Sequence, residues 1–253
     1  MRDAPWEAIF KKYGIHGHDF DKSPFTITAQ QIKDATSHFT TTGDREVRIL
    51  CKQDTRESRP QVFIDRGLFL LPIRNGEYVI VRGEGYLDIP AVTENIGNYH
   101  SNLDFRLDTS KVGNSEMQHI DFAYASSLIR TFLNDPSLVL TIRGRKYTPQ
   151  FSFNVGNNRI TAGGVQTEVD AGYEGRNQVV LVEVKGGRAT NTIIRQLFYP
   201  FRQWQAHTQK QVIPLFFENI GNEYHIWQFE FTSPQDYNSI RLVRSGRFVI
   251  DAP

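Results

Sequence analysis

The sequence contains a single cysteine, Cys51, so an internal disulfide framework and any zinc site built from several cysteines are excluded. No apolar run approaches the roughly 18–20 residues that a membrane span needs. The opening segment, MRDAPWEAIFKKYG, places acidic and basic residues where a signal peptide carries a continuous apolar stretch. A cytoplasmic location with no membrane partner is therefore expected. No GxGxxG or GKS/T phosphate loop occurs, so no nucleotide cofactor and no ATP-driven motor are expected. Repeats, low-complexity tracts and Gly/Ser linkers are also missing. Basic and acidic residues nearly cancel, to a net charge of +1. That balance argues against a non-specific nucleic-acid coat protein, which needs a surplus of Lys and Arg, but not against an enzyme that reads DNA with a few placed residues.

What is present reads as a mixed α/β (α+β) chain. Trp6, Ile9, Phe10 and Tyr13 recur at helical spacing behind Asp3 and Pro5. A second helix is predicted from Thr28, where Thr28 and Gln31 have capping-box spacing ahead of Ile32, Ala35 and Phe39. Short strands are expected at 47–51, 61–64 and 68–73, with Asn75-Gly76 turning the last into a hairpin with 77–82. The stretch 90–114 shows no clear period and joins two parts: an N-terminal α+β region, residues 1–110, and a core, residues 111–253.

In the second part, Ser115 and Gln118 have the spacing to cap a helix running to about Asn134, where Asp135-Pro136 stops it. An apolar run, 138–142, and an alternating one through Phe151, Phe153 and Val155 follow, with Gly156-Asn157-Asn158 as a turn. The segment 165–170 reads as a strand, 172–177 as a turn, and 179–184 as a strand too apolar to face water, hence internal to a sheet. Thr190 or Asn191 starts a helix carrying Ile194, Leu197, Phe198 and Phe201, with Pro200 inside it. A strand at 212–217 then suits a parallel crossover, and 224–231 leads into a hairpin closed by Ser245-Gly246. The expected architecture is a mixed central β-sheet flanked by helices.

The chemistry concentrates in VQTEVDAGYEGRNQVVLVEVKGG, residues 165–187. Residues two apart on a strand share a face, so Glu183 and Lys185 project together while Val184 turns to the core. If the two strands pair through the intervening turn, Asp170 arrives beside them. Two close carboxylates repel unless a cation lies between them or one stays protonated, and Mg²⁺ suits a few carboxylate oxygens with water and phosphate in its remaining positions. The alternative for a Glu-x-Lys is a solvated strand face carrying an exposed ion pair. Against it, Glu183-Val184-Lys185 is the one Asp/Glu-x-Lys in the chain and ends an otherwise apolar strand.

An acidic residue ending one strand, twelve intervening residues, then Glu-x-Lys in the next resembles the PD-(D/E)XK nuclease superfamily, and within it the type II restriction endonucleases. The order of elements from Ser115 to Phe217 resembles that family's core. Val169-Asp170 stands where the family pattern has Pro-Asp. The resemblance implies a restriction-endonuclease-like core and Mg²⁺-dependent, sequence-specific cleavage of double-stranded DNA, with Mn²⁺ able to substitute. Asp170 and Glu183 would be metal ligands together with the Val184 carbonyl, and Lys185 would stand near the attacking water. Glu168, two residues before Asp170, is an alternative or additional ligand; Glu116 is either a helper of a second metal or, the favoured reading, an acidic residue suited to a helix N-terminus.

In the helix after the motif, Gln196 and Tyr199 are expected beside the site and Arg195, Tyr199 and Arg202 on DNA; the alternative is an amphipathic core helix whose polar face happens to be basic. KQDTRESRP and RNGEYVIVRGEG offer DNA contacts from the N-terminal region, or ordinary polar turns. A homodimer matches a two-fold site with one active site per strand. Other readings are a repair, recombination or modification-dependent nuclease, or a non-catalytic DNA-binding module.

Overall fold

A computed structural model describes residues 3–253. Helix α1 (Asp3–Lys12) buries Trp6, Ile9 and Phe10 on one face, as their spacing requires. Strand β1 (Phe25–Thr28) leads into α2 (Ala29–Thr36), and here the predicted capping box is present: the Thr28 side chain accepts from the Gln31 N–H, and Gln31 reaches back to the Thr28 N–H. Two expected strands are instead short helices, α4 (Val47–Leu50), following α3 (Thr42–Arg45), and α5 (Gln61–Asp65). Apolar runs this short carry no period that separates helix from strand. Burial of Val47 with Leu50, and of Val62 with Phe63 beneath Trp6, decides for helix.

Strands β2 (Leu68–Arg74) and β3 (Glu77–Arg82) form the hairpin signalled by Asn75-Gly76, and β1 pairs with β3. Gly76 has φ 76°, the left-handed conformation that the turn demands. The run Leu68–Leu71 is apolar throughout because both faces of this small sheet are covered. Leu68, Leu70 and Ile80 face the helices of the N-terminal unit, whereas Phe69, Leu71, Val79 and Val81 enter the main core. The N-terminal unit is thus welded to the rest of the protein rather than hung from a linker.

The segment 83–114 contributes β4 (Tyr86–Asp88) and β5 (Gly97–His100). The long helix expected from Ser115 is two, α6 (Glu116–Ala125) and α7 (Leu128–Leu133), broken where Ser127 adopts φ 67°. Ser115 caps the first as predicted, its side chain accepting from the Gln118 N–H. There follow β6 (Val139–Tyr147), the hairpin β7 (Phe151–Val155) and β8 (Asn158–Ala162), then β9 (Gln166–Glu174) and β10 (Gln178–Lys185). A short strand β11 (Asn191–Ile193), paired with β4, replaces the expected helix start, and α8 runs Arg195–Gln205. Strands β12 (Gln211–Ile220), β13 (Glu223–Phe231) and β14 (Ile240–Asp251) complete the chain.

The fold is a mixed α+β architecture around a seven-stranded sheet ordered β5-β14-β13-β12-β10-β9-β6. Strand β10 is internal and pairs parallel with β12, as the crossover through α8 predicts. Helix α8 covers one face with Val179, Leu181 and Phe216; α6 and α7 cover the other with Val180, Val182 and Val184. Two predicted turns fall partly or wholly in strand: of 172–177 only 175–177 connect β9 to β10, and 245–246 lie inside β14. Gly172 lies within β9, where a Cβ would stand 2.6 Å from the Ile142 Cβ, so the glycine serves close cross-strand packing. Gly246 lies within β14, where a Cβ would approach the Phe248 ring to 2.9 Å. The actual β13–β14 connection spans 232–239, closed by the Thr232 N–H on the Ser239 carbonyl at 3.1 Å.

Among the described residues no helix is long and apolar enough to cross a membrane.

Candidate active site

Strands β9 and β10 ladder from Val179–Glu174 to Val182–Ala171 and then part. Beyond that point β10 continues beside β12 to Lys185, while β9 pairs only with β6. The parting coincides with a bulge. Between Ile142–Gly172 and Gly144–Val169, β6 advances two residues and β9 three, leaving an extra residue on β9 in the Asp170–Ala171 stretch. Alternation breaks there, since Ala171 packs toward α6 and α7 but Val169 toward α8. Bulges of this kind re-aim a side chain. Here the Asp170 carboxylate enters the gap and its Oδ2 accepts the Val184 N–H at 2.8 Å. Asp170 therefore ends the β9–β10 pairing and not, as expected, the strand itself, which runs on to Glu174.

Glu183 and Lys185 share a face as predicted, and Lys185 Nζ lies 2.5 Å from Glu183 Oε1. The Glu183 side chain is only 11% exposed. Burial first, then the charge of Asp170, push its carboxyl up to about 7, against the opposing pull of Lys185 and Arg195. Burial also raises Asp170, opposed by the Val184 N–H and Lys185 and reinforced by the charges of Glu116 and Glu168. Burial lowers Lys185, but Glu183, with help from Asp54 and Asp170, outweighs it and holds the ammonium charged. A strand residue's N–H and C=O face the same neighbour, so the Val184 carbonyl looks toward β9, past the end of the ladder.

Glu116 joins the site through the chain: its Oε1 accepts the Gly186 N–H at 2.7 Å, fixing the start of α6 against the end of β10. The glycine pair after Lys185 permits that approach, because a Cβ on Gly186 would meet the Glu116 Cγ at 3.2 Å. Glu168 lines the same cleft, but its carboxylate is 56% exposed and bonded to Arg145 at 3.2 Å. Among the described residues, no group of three or more His, Cys, Asp or Glu side chains is gathered to hold a metal. The donors that converge are Asp170, Glu183 and the main chain of Val184.

Asp170 and Glu183, with Glu168, form one wall of a cleft of about 450 Å³ between the core and the N-terminal unit. Gln196 and Arg195 line it from α8, and Arg48, Lys52, Asp54 and Arg74 from the N-terminal side. No histidine lines it among the described residues. Cys51 does, but burial pushes its thiol up to about 12, which removes it as a nucleophile at neutral pH. Asp54 was not singled out from the sequence, where it is one acid in a polar loop; no local pattern marks it.

Two expected DNA contacts are placed elsewhere. Tyr199 is fully buried and donates to the Pro72 carbonyl at 2.9 Å, fastening α8 to the N-terminal hairpin. Arg202 donates to the Ser152 carbonyl at 3.1 Å and to the Pro234 carbonyl, over the Phe151 ring, so it clamps the β7–β8 hairpin. The basic loops divide similarly. Arg56 is held by Asp88 and Glu84, Arg59 by the Arg56 and Leu68 carbonyls, and Arg82 by Asp21.

Glu218 stands beside Lys185 in the parallel register and is 1% exposed. Burial pushes its carboxyl up to about 7, only partly offset by the Ala189 N–H and by Arg188. A carboxyl that binds its proton more tightly when folded makes the folded state the more protonated one from the ordinary carboxylate range up to about 7. Stability therefore falls as pH rises through that window. Urea unfolding across it should show wild type losing stability and Glu218→Gln losing less. Parallel profiles for the two proteins would remove Glu218 as a cause; Glu183 contributes with the same sign.

No curated protein and no solved structure matches the chain. Two family models do, one described as Domain of unknown function (DUF6996) over residues 3–80 and one as Domain of unknown function (DUF6997) over residues 81–249. The two matches meet inside β3, the strand whose side chains feed both the N-terminal and the main core. The DUF6997 match takes in β9, β10 and α8 with every candidate residue of the core side, so this chain belongs to the DUF6997 family.

Proposed function

We propose that this protein is a magnesium-dependent DNA endonuclease of the PD-(D/E)XK type, cutting a short duplex sequence as type II restriction enzymes do. The observation that carries the reading is the arrangement at the parting of β9 and β10: Asp170 on the Val184 N–H, beside a nearly buried Glu183 paired with a half-buried Lys185. A solvated ion pair, the alternative for Glu-x-Lys, does not describe a carboxylate raised toward neutrality by burial. A buried carboxylate next to a second one is costly, and the cost falls when a cation is shared between them.

Two carboxylates and one carbonyl suit Mg²⁺, which keeps several of its positions for water and phosphate. Bound there, it would polarise the phosphodiester and lower the pKa of an attacking water. Lys185, held charged by Glu183, would stabilise the negative charge that develops on the phosphate. Glu116 and Asp170 brace the end of β10 through the Gly186 and Val184 N–H groups. Arg48, Lys52, Arg74 and Arg195 offer cationic groups for the phosphates on either side. Because one such site cuts one strand, the acting species is a homodimer on a two-fold DNA site.

A plasmid digest tests this. Discrete fragments in Mg²⁺ or Mn²⁺, abolished by EDTA, are expected. A smear would indicate a nuclease without sequence preference. No cutting of DNA across a panel of plasmids and genomic DNA of different methylation would overturn the nuclease reading.

A further inference from the structure

The loop from Cys51 to Pro60 ties the N-terminal unit to the core at the edge of the cleft. The Ile193 N–H donates to the Asp54 carbonyl at 2.8 Å, and the Arg56 N–H to Asn191 Oδ1 at 2.7 Å. Asn191 in turn donates to both carboxylate oxygens of Glu57 at 3.0 Å, and the Tyr86 hydroxyl donates to the Gln53 carbonyl at 3.0 Å. Asn191 and Tyr86 are themselves buried, so this strap is seated rather than draped. Its main-chain bonds leave the Asp54 side chain facing the cleft, with Oδ1 3.6 Å from Arg195 Nη2 and Oδ2 3.8 Å from Lys52 Nζ.

Arg195 needs such a partner. It is the first residue of α8, where the helix dipole disfavours a positive charge. Its side chain is 23% exposed, and Asp54 is the acidic group ion-paired to it. Both line the same cleft as Glu183.

Resting on the nuclease reading, we propose that Asp54 is a positioning residue of the active site: it holds the Arg195 guanidinium at the cleft floor beside Glu183, aimed at the phosphate being cut. The N-terminal unit then takes part in the chemical step and does more than recognise sequence. Without Asp54, Arg195 loses the group that offsets the helix dipole and swings away from the floor. Substrate still binds through the other basic groups, but the transition state loses an aligned charge.

Steady-state cleavage of plasmid DNA in Mg²⁺ by wild type, Asp54→Asn, Asp54→Glu, Arg195→Gln and the Asp54→Asn/Arg195→Gln double variant tests this, with a melting curve for each. Asp54→Asn should lower kcat by about tenfold to a hundredfold with little change in KM, the scale expected of a misplaced catalytic group. Asp54→Glu should recover part of the loss. The double variant should be no slower than Arg195→Gln alone, because residues acting through one another are not additive. Should Asp54→Asn not fold, Asp54→Ser carries the same comparison, since it too removes the carboxylate that pairs with Arg195.

A normal kcat in a folded Asp54→Asn protein, a loss confined to KM, or losses that multiply in the double variant would each overturn the role. A lowered melting temperature with unchanged kcat would show only a pin for the strap and overturn it equally. Wild-type protein that cuts no DNA at all is a different result: it overturns the nuclease reading itself.

Discussion

Asp170→Ala and Glu183→Ala proteins are expected to fold and to lose DNA cleavage by orders of magnitude, because each change deletes a carboxylate from the metal's inner coordination. The two should differ in stability. Glu183 is the ionic partner of Lys185, so removing it leaves a half-buried ammonium unpaired, which is destabilising. Glu183→Gln keeps the volume and a polar partner and should be the better-folded of the Glu183 variants. Asp170 holds the last N–H of β10 that faces the gap, so Asp170→Asn, whose amide oxygen can still accept it, should preserve the strand end while cutting far more slowly. Calorimetric titration with Mg²⁺ or Ca²⁺ supplies a readout independent of turnover: wild type should bind the ion and both alanine variants should bind it much more weakly. Cleavage within a few-fold of wild type by a folded Glu183→Gln or Asp170→Asn protein would remove these carboxylates from the mechanism.

Lys185→Ala should lose about 10²–10³ in kcat, the loss expected when a charge aimed at the transition state is taken away. DNA binding in Ca²⁺ should survive, because it rests on phosphate and base contacts made elsewhere. Lys185 also pulls the Glu183 carboxyl downward, so its removal lets Glu183 hold its proton more tightly and compete with the metal. The two causes separate on a Mg²⁺ titration. A defect of metal affinity alone disappears at saturating Mg²⁺, whereas loss of a chemical group persists. Persistence is expected. Full recovery at high Mg²⁺ would reduce Lys185 to a tuner of Glu183, and near-normal cutting at ordinary Mg²⁺ would exclude it altogether.

The parts whose information is local are legible in the amino-acid sequence alone. The Thr28 capping box, the Asn75-Gly76 turn, the Ser115 cap and the internal position of β10 all follow from contacts between near neighbours or from one apolar run. The Glu183–Lys185 pair belongs here too, since strand alternation alone puts residues two apart on one face. The short apolar runs at 47–50 and 61–65 carry no period, and burial against α1 makes them helical where propensity alone is indifferent.

Other features depend on packing between segments far apart in the chain. The glycines at 172 and 246 read as turns because a sequence does not show Ile142 or Phe248 pressed against them. Tyr199 and Arg202 read as DNA contacts because the hairpins that consume them are far away in the chain. Asp170 reaches Val184 through a bulge, a register event between two strands that neither strand carries alone. Asp54 comes to Arg195 because the strap is pinned to β11 by hydrogen bonds spanning well over a hundred residues. Such contacts form only after distant segments have packed, and that packing follows from burying the main core, into which both units send side chains.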